Sequence, residues 1–269
     1  MSQLRRRVAS LTGVAEDRIE RLAGGDLSQV LLVTRNDGSR IVAKGGAQVV
    51  TEAEMLRALA TAGVPVPAIE GEYGDTLLIE HIPNDGAFSP RAWADIARQV
   101  RAMHGHESGE YGWPVDHSLG SVLLDNQQTD DWRFFWTEKR LRGPALLLDL
   151  PWRKRIDALA PRLMDVLPPA PPAALLHGDL WTGNLLVRDG KLAALIDPAC
   201  YYGDPEVDLA MLCLFGSPDE AFWQAYGELQ PGWAERRLIY QLFPAIMHLR
   251  LFGATYEGLV DRLLTEAGA

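Results

Sequence analysis

The sequence predicts an α+β protein of two lobes, a small β-rich lobe over residues 1–83 and a larger, mainly helical lobe over residues 84–269. Three observations lead there. The first third consists of short apolar runs separated by Gly, Asn-Asp-Gly and Pro turns, which is the pattern of paired strands. Beyond Pro83-Asn84-Asp85-Gly86 the apolar residues recur at helical spacing instead. A chain of 269 residues is also near the largest size at which a single core keeps growing.

Taken in order, residues 19–22 read as a first strand and Gly24-Gly25-Asp26 as a tight connection. Residues 30–34 form a second strand, Asn36-Asp37-Gly38 a hairpin turn, and residues 40–44 a third strand. Two glycines ahead of Ser28 let the backbone approach an anion closely, so Gly24, Gly25 and Ser28 read either as a phosphate loop or as a plain hairpin. Residues 51–62 have Met55, Leu56 and Leu59 at helical spacing and stop at Gly63-Val64-Pro65. Residues 76–82 are an apolar strand. Residues 90–104 form an amphipathic helix with Trp93, Ile96, Ala97, Val100 and Met103 on one face. Residues 132–148 and 151–166 are helical, Pro168 to Pro172 is a rigid surface connector, and residues 234–266 are helical again with Leu238, Leu242, Ile246, Leu249 and Phe252 on a core face.

Composition narrows the function classes. The chain has 26 basic and 36 acidic residues, a net charge of −10, and 47% hydrophobic residues. That apolar fraction excludes wholesale disorder. The acidic excess argues against nucleic acid as a partner, because phosphates need a basic face. Two cysteines, Cys200 and Cys213, make no disulfide framework and no thiolate zinc site; both read as buried thiols in a reducing compartment. No apolar run reaches the length of a membrane span, and the segment after Arg5-Arg6-Arg7 is too polar for a signal peptide. A cytoplasmic protein with no membrane partner is expected, and nothing in the sequence sets its oligomeric state.

The chemistry is concentrated in residues 174–211. An apolar strand leads into His177-Gly178-Asp179-Leu180-Trp181-Thr182-Gly183-Asn184, residues 185–187 form a strand, Asp189-Gly190 is a turn, and residues 193–196 run into Asp197. Asp179, Asn184 and Asp197 therefore stand in apolar surroundings, where each requires a hydrogen-bond partner or a cation. An Asp, an Asn five residues on and a second Asp after the next strand make a hard, oxygen-rich set suited to Mg²⁺ and not to zinc. The first Asp is then free to orient an attacking hydroxyl and accept its proton.

This arrangement resembles the catalytic loop and metal-binding Asp of the protein-kinase superfamily. Gly178 in place of Arg, and Pro198-Ala199 in place of Phe-Gly, look like its small-molecule branch of aminoglycoside and choline kinase-like enzymes. More narrowly, the chain resembles the fructosamine kinase (ketosamine 3-kinase) family. The resemblance rests on residues 176–184, on Ile196-Asp197-Pro198-Ala199-Cys200-Tyr201-Tyr202-Gly203 with Glu206 and Asp208, on Tyr111-Gly112-Trp113 with Asp116, on Asp131-Trp132 with Arg140-Leu141, and on residues 238–256 with His248 and Tyr256. Where relatives tend to carry a Pro-Gln-x-Asn-like segment, this chain reads Ser121-Val122-Leu123-Leu124-Asp125-Asn126.

The resemblance implies a two-lobed kinase-like fold that uses ATP and Mg²⁺. Lys44 matches the Lys that neutralises the α and β phosphates, and Glu52 its ion-pair partner, with Glu54 as the nearby competitor. Residues 77–82 match the hinge, where backbone groups at Glu80 and Ile82 would meet adenine. Asp179 takes the catalytic position, and Asn184 and Asp197 the metal positions. The implied acceptor is the C3 hydroxyl of a ketosamine on a small amine or a protein lysine, whose phosphorylated product releases the amine. His177 and His104 read as structural, Glu206 as a substrate contact, Asp208 as a brace for the catalytic loop, and Trp181 as either packing or a lid. Two alternatives stand beside this one: a kinase of another hydroxylated amine such as an aminoglycoside or choline, and a nucleotide-binding pseudokinase without turnover. The chain lacks a Gly-x-Ser-x-Gly elbow, a His-Glu-x-x-His helix, a Walker-type loop and a Gly-x-Gly-x-x-Gly fingerprint.

Overall fold

A computed structural model describes residues 3–22 and 29–269. Gly24, Gly25 and Ser28 lie outside the described residues. The small lobe is a five-stranded antiparallel sheet in the order β1-β2-β3-β5-β4, built from β1 (Ile19–Arg21), β2 (Gln29–Thr34), β3 (Arg40–Gly45), β4 (Ile69–Tyr73) and β5 (Thr76–Glu80). β2, β3 and β5 carry unbroken apolar runs because both faces of the sheet are covered. Leu31, Val33, Ile41, Ala43 and Leu78 bury one face against α1 (Gln3–Thr12), through Leu4 and Val8. Val30, Leu32, Val42, Leu77 and Ile79 bury the other against α2 (Val49–Thr61), through Val49, Ala53 and Leu56. Met55 and Leu59, on the far side of α2, enter the core of the helical lobe, so this one helix packs against both lobes.

The helical lobe begins with α3 (Pro90–His104), capped by the Ser89 hydroxyl, which accepts the Ala92 N–H at 3.2 Å. All five residues predicted for its apolar face are buried. A short hairpin follows, β6 (His117–Leu119) with β7 (Val122–Leu124). Residues 132–145 are not one regular helix: α4 (Trp132–Phe134) and α5 (Gly143–Ala145) flank eight residues of π-helix, Phe135–Arg142. The Gly143 N–H reaches back five residues to Glu138, and the widened turns set Arg140 against the rings of Phe135 and Tyr201, 4.4 and 4.3 Å from their centroids. Then come α6 (Leu150–Val166), β8 (Ala174–Leu176), the hairpin β9 (Leu185–Arg188) and β10 (Lys191–Leu195), and β11 (Tyr201–Gly203), which pairs with β8.

The chain ends in α7 (Glu206–Leu212), α8 (Glu220–Tyr226), α9 (Trp233–Phe252) and α10 (Glu257–Glu266). The single helix expected over 234–266 is broken after Phe252. Gly253 adopts φ +75° there, and one 3₁₀ turn, Gly253–Tyr256, redirects the chain into α10. Cys213, expected to be buried, is only half-buried, whereas Cys200 is fully enclosed. No helix among the described residues is long and apolar enough to cross a membrane.

Candidate active site

β8 delivers the chain into the loop that carries Asp179, and five hydrogen bonds fix that loop. Asp208, on α7, accepts the backbone N–H groups of His177 at 2.7 Å and of Gly178 at 2.9 Å. His177 is fully buried; its Nδ1 accepts the Asp179 N–H at 3.3 Å, so Nε2 carries the proton and donates to the Ile196 carbonyl at 3.0 Å. The Ala199 N–H donates to the His177 carbonyl at 2.8 Å. Gly178 occupies the place of the kinase Arg for a steric reason. Its φ is +79°, and a Cβ there would lie 2.0 Å from the Ala199 carbonyl oxygen.

Asn184 comes back onto Asp179 through the 3₁₀ turn Thr182–Asn184. Its Nδ2 donates to the Asp179 carbonyl at 2.8 Å and to Asp179 Oδ2 at 3.0 Å. Those acceptors orient the amide and leave Oδ1 facing away from Asp179. β10 then carries Asp197, at φ +54°, to Lys44. Lys44 sits on the α2 face of the sheet, where it makes ion pairs with both Glu52 and Asp197. Burial alone would depress the Lys44 ammonium, but the two carboxylates hold its pKa above the usual value. Glu54 faces solvent. Burial also pushes the Asp179 carboxyl up to about 7, reinforced by the charges of Asp197 and Asp208.

These side chains share a cavity of about 740 Å³. Lys44, Glu52, Asp179, Asn184 and Asp197 form its polar wall, and Trp181, Phe215, His248, Phe252 and Tyr256 line it with aromatic rings. The His248 ring centroid lies 4.7 Å from that of Phe215, 5.5 Å from Phe252 and 5.0 Å from Tyr256. Trp181 is more than one-third exposed, covers Gly183 and meets Phe215 edge-on at 6.5 Å. It serves as cavity lining and not as core.

Two expected positions stand apart. Glu80 and Ile82 do not line this cavity; the Glu80 N–H donates to the Ala68 carbonyl at 2.8 Å. Glu206 is not a substrate contact. It is buried in a two-point ion pair with Arg236, both bonds 2.7 Å, which offsets the cost of enclosing its charge. His104 is a core residue, between Tyr226 at 2.8 Å and Asp208 at 3.2 Å. Phe215 and the hairpin residues His117 and Ser118 went unnoticed in the sequence, where no motif marks them.

The donor set fits a hard cation. Among the described residues no cluster of three or more His, Cys, Asp or Glu has metal-site geometry, but the Asn184 amide oxygen and the Asp197 carboxylate are hard oxygen donors that could hold Mg²⁺ with nucleotide phosphates and water completing its shell.

An antiparallel sheet with a buried Lys–Glu pair, set over a helical lobe that presents Asp, Asn and Asp, defines a phosphotransferase of the protein-kinase-like fold. An aminoglycoside phosphotransferase bound to a nucleotide analogue and hygromycin B superimposes with a TM-score of 0.70 over 100% of both chains, at 17% identity. The chain belongs to the fructosamine kinase family, which matches residues 2–267. It is 33% identical to a probable ketoamine kinase of Thermus thermophilus over 91% of this chain and 92% of that one. A structure from Thermobifida fusca, described as a fructosamine-3-kinase, has a TM-score of 0.86 and 30% identity over 98% of each chain.

Proposed function

We propose that this protein is an ATP-dependent kinase that phosphorylates a sugar hydroxyl of a ketosamine, a fructosamine or ribulosamine borne on a small amine or a glycated lysine. The observation that carries the reading is the approach of Asp179, Asn184 and the Lys44–Asp197 pair to one wall of a cavity whose other wall is aromatic.

In this reading residues 1–83 hold the nucleotide, while Glu80 and Ile82, expected beside adenine, lie outside the cavity that the polar side chains share. Residues 84–269 supply the catalytic groups. Asn184 and Asp197 hold Mg²⁺, which offsets phosphate charge when bound. Lys44, kept cationic and braced by Glu52, faces the same charge. Asp179 accepts the hydrogen bond of the acceptor hydroxyl, orients its oxygen toward the terminal phosphoryl group and takes the proton as the new P–O bond forms and the bond from the γ-phosphorus to the bridging oxygen breaks, releasing ADP. A carboxyl raised to about 7 is well matched to that proton transfer at neutral pH. His177, Gly178 and Asp208 keep Asp179 in place, so that positioning and fixed charge supply most of the rate gain. The free Cys200 and Cys213 accord with a reducing, cytoplasmic setting.

The test is phosphorylation by the purified protein with Mg-ATP of fructosyl-lysine, ribulosyl-lysine, an aminoglycoside and choline. Turnover of a ketosamine supports the reading. Turnover confined to the aminoglycoside or choline replaces the acceptor and keeps the kinase, and tight ATP binding with no turnover on any acceptor makes the protein a pseudokinase.

A further inference from the structure

The aromatic wall of the cavity is longer than the mechanism above needs. Trp181 stands two residues beyond Asp179, so the wall starts at the loop that would receive the acceptor hydroxyl. The rings then follow one another in contact. The Phe215 centroid lies 6.5 Å from that of Trp181, His248 4.7 Å from Phe215, and Phe252 and Tyr256 5.5 and 5.0 Å from His248. Trp181, Phe215 and Phe252 are each more than one-third exposed. A contiguous strip of uncovered rings is costly in water, and in a cleft it marks a surface that a ligand covers.

The strip carries no charge. α9 brings Phe243, Pro244, Met247 and Leu251 to the cavity on the helix face that bears His248 and Phe252, and α7 brings Val207 and Met211. Past Pro198, none of the described residues lining the cavity is Asp, Glu, Lys or Arg. His248 adds no charge either. A carbonyl only accepts, so His248 Nδ1 donates its proton to the Pro244 carbonyl at 2.7 Å. Burial holds the pKa of the ring below its usual value, which leaves it neutral at physiological pH.

A ketosamine presents its amine beyond the sugar, and then whatever the amine carries. One ammonium is served by one ring within about 6 Å, a place that Trp181 alone can fill, and the rings from Phe215 to Tyr256 extend past it. A free lysine lying there would set its α-ammonium and α-carboxylate against apolar rings with no partner, and desolvating both is costly. An apolar substituent would cover the rings instead. We infer that the ketosamines this protein prefers are those of apolar or aryl amines, the substituent lying along Trp181, Phe215, His248 and Phe252 while the sugar meets Asp179. This rests on the ketosamine reading and narrows its substrate class.

The experiment measures kcat/KM with Mg-ATP for fructosyl-phenethylamine, for fructosyl-methylamine, which has no tail, and for free fructosyl-lysine. The phenethylamine adduct should exceed the other two by about 10- to 100-fold, the worth of burying one phenyl group, chiefly through a lower KM. F215A and F252A should each reduce the phenethyl-to-methyl ratio by about 3- to 10-fold, because each uncovers part of that group, and F215L should recover part of the loss. The wild-type comparison needs no variant, so it decides the matter even if one fails to fold. Equal kcat/KM for the three adducts, a preference for either of the other two, or variants that melt near wild type and keep its ratio overturn the inference and leave the functional reading intact. A wild type that turns over no ketosamine overturns the functional reading, and the substrate class with it.

Discussion

Asp208 receives the backbone N–H of His177 at 2.7 Å across 31 residues of sequence, and the same carboxylate takes the next N–H, that of Gly178. The loop that aims Asp179 is thus held by a buried anion on α7. Asp208→Ala would leave two enclosed N–H donors and His104 without their acceptor. Hydrogen bonds to charged groups are each worth about 1.5–3 kcal/mol, so a loss on the order of 3–5 kcal/mol is expected. Urea unfolding at pH 7 measures it, and a loss under about 1 kcal/mol would mean that the loop is held by other contacts.

Lys44 ties the two lobes together at the polar wall, because it pairs with a carboxylate from each, Glu52 and Asp197. Lys44→Met keeps the buried stem and removes the charge. kcat should fall by about 10²- to 10³-fold, the cost of removing one preorganised electrostatic group, while far-UV circular dichroism stays native. Near wild-type turnover in a folded Lys44→Met variant would reject its role at the phosphates.

Asp179→Asn preserves the side-chain shape and the contact with Asn184, but an amide accepts no proton. A drop of about 10²- to 10⁴-fold in kcat is expected, with the dissociation constant for ATP little changed. Titration calorimetry against a non-hydrolysable analogue separates the two effects, and a large loss of nucleotide affinity at unchanged kcat would contradict the assignment.

The polar wall could be read in the sequence because each member interrupts an apolar run: Lys44 at the end of β3, Asp179 after β8, Asp197 after β10. The aromatic wall could be read only in part, at Trp181, His248 and Tyr256. Phe215 comes from the α7–α8 connection and Phe252 from the end of α9, and aromatic residues in such places are indistinguishable from core packing until the fold brings them together. α1 was hidden by Arg5-Arg6-Arg7, which obscure a face resting on Leu4 and Val8 alone. β6 and β7, three residues each, are too short to establish a period. Glu206 was misread because its partner Arg236 lies 30 residues downstream, a pairing that no local pattern announces.

Asp197→Ala should abolish Mg²⁺-dependent turnover in a protein that still folds. Asp197 holds φ +54°, where an alanine adds roughly 1–2 kcal/mol of backbone strain, so the melting temperature should fall modestly and not collapse. Comparing turnover across a Mg²⁺ titration with the melting curve separates lost metal binding from lost fold; full turnover at any Mg²⁺ concentration would sink the assignment.

Asp204 gives a pH dependence whose sign is fixed by burial. The carboxyl is enclosed, accepts the Tyr240 hydroxyl at 2.7 Å and the Glu206 N–H at 2.9 Å, and is pushed up to about 6 by burial and by the Glu206 charge, from an ordinary 3.8. Between those values the folded protein binds the proton and the unfolded chain has released it. Stability from this group is therefore fully present below about 4 and is lost as the pH rises through about 6. Two pKa units correspond to about 3 kcal/mol. Asp204→Asn cannot titrate, so the stability of wild type minus that of the variant should decline by about 3 kcal/mol between pH 4 and pH 7. Urea unfolding at intervals across that range provides the comparison, and parallel pH profiles for the two proteins would show that Asp204 is already ionised in the fold.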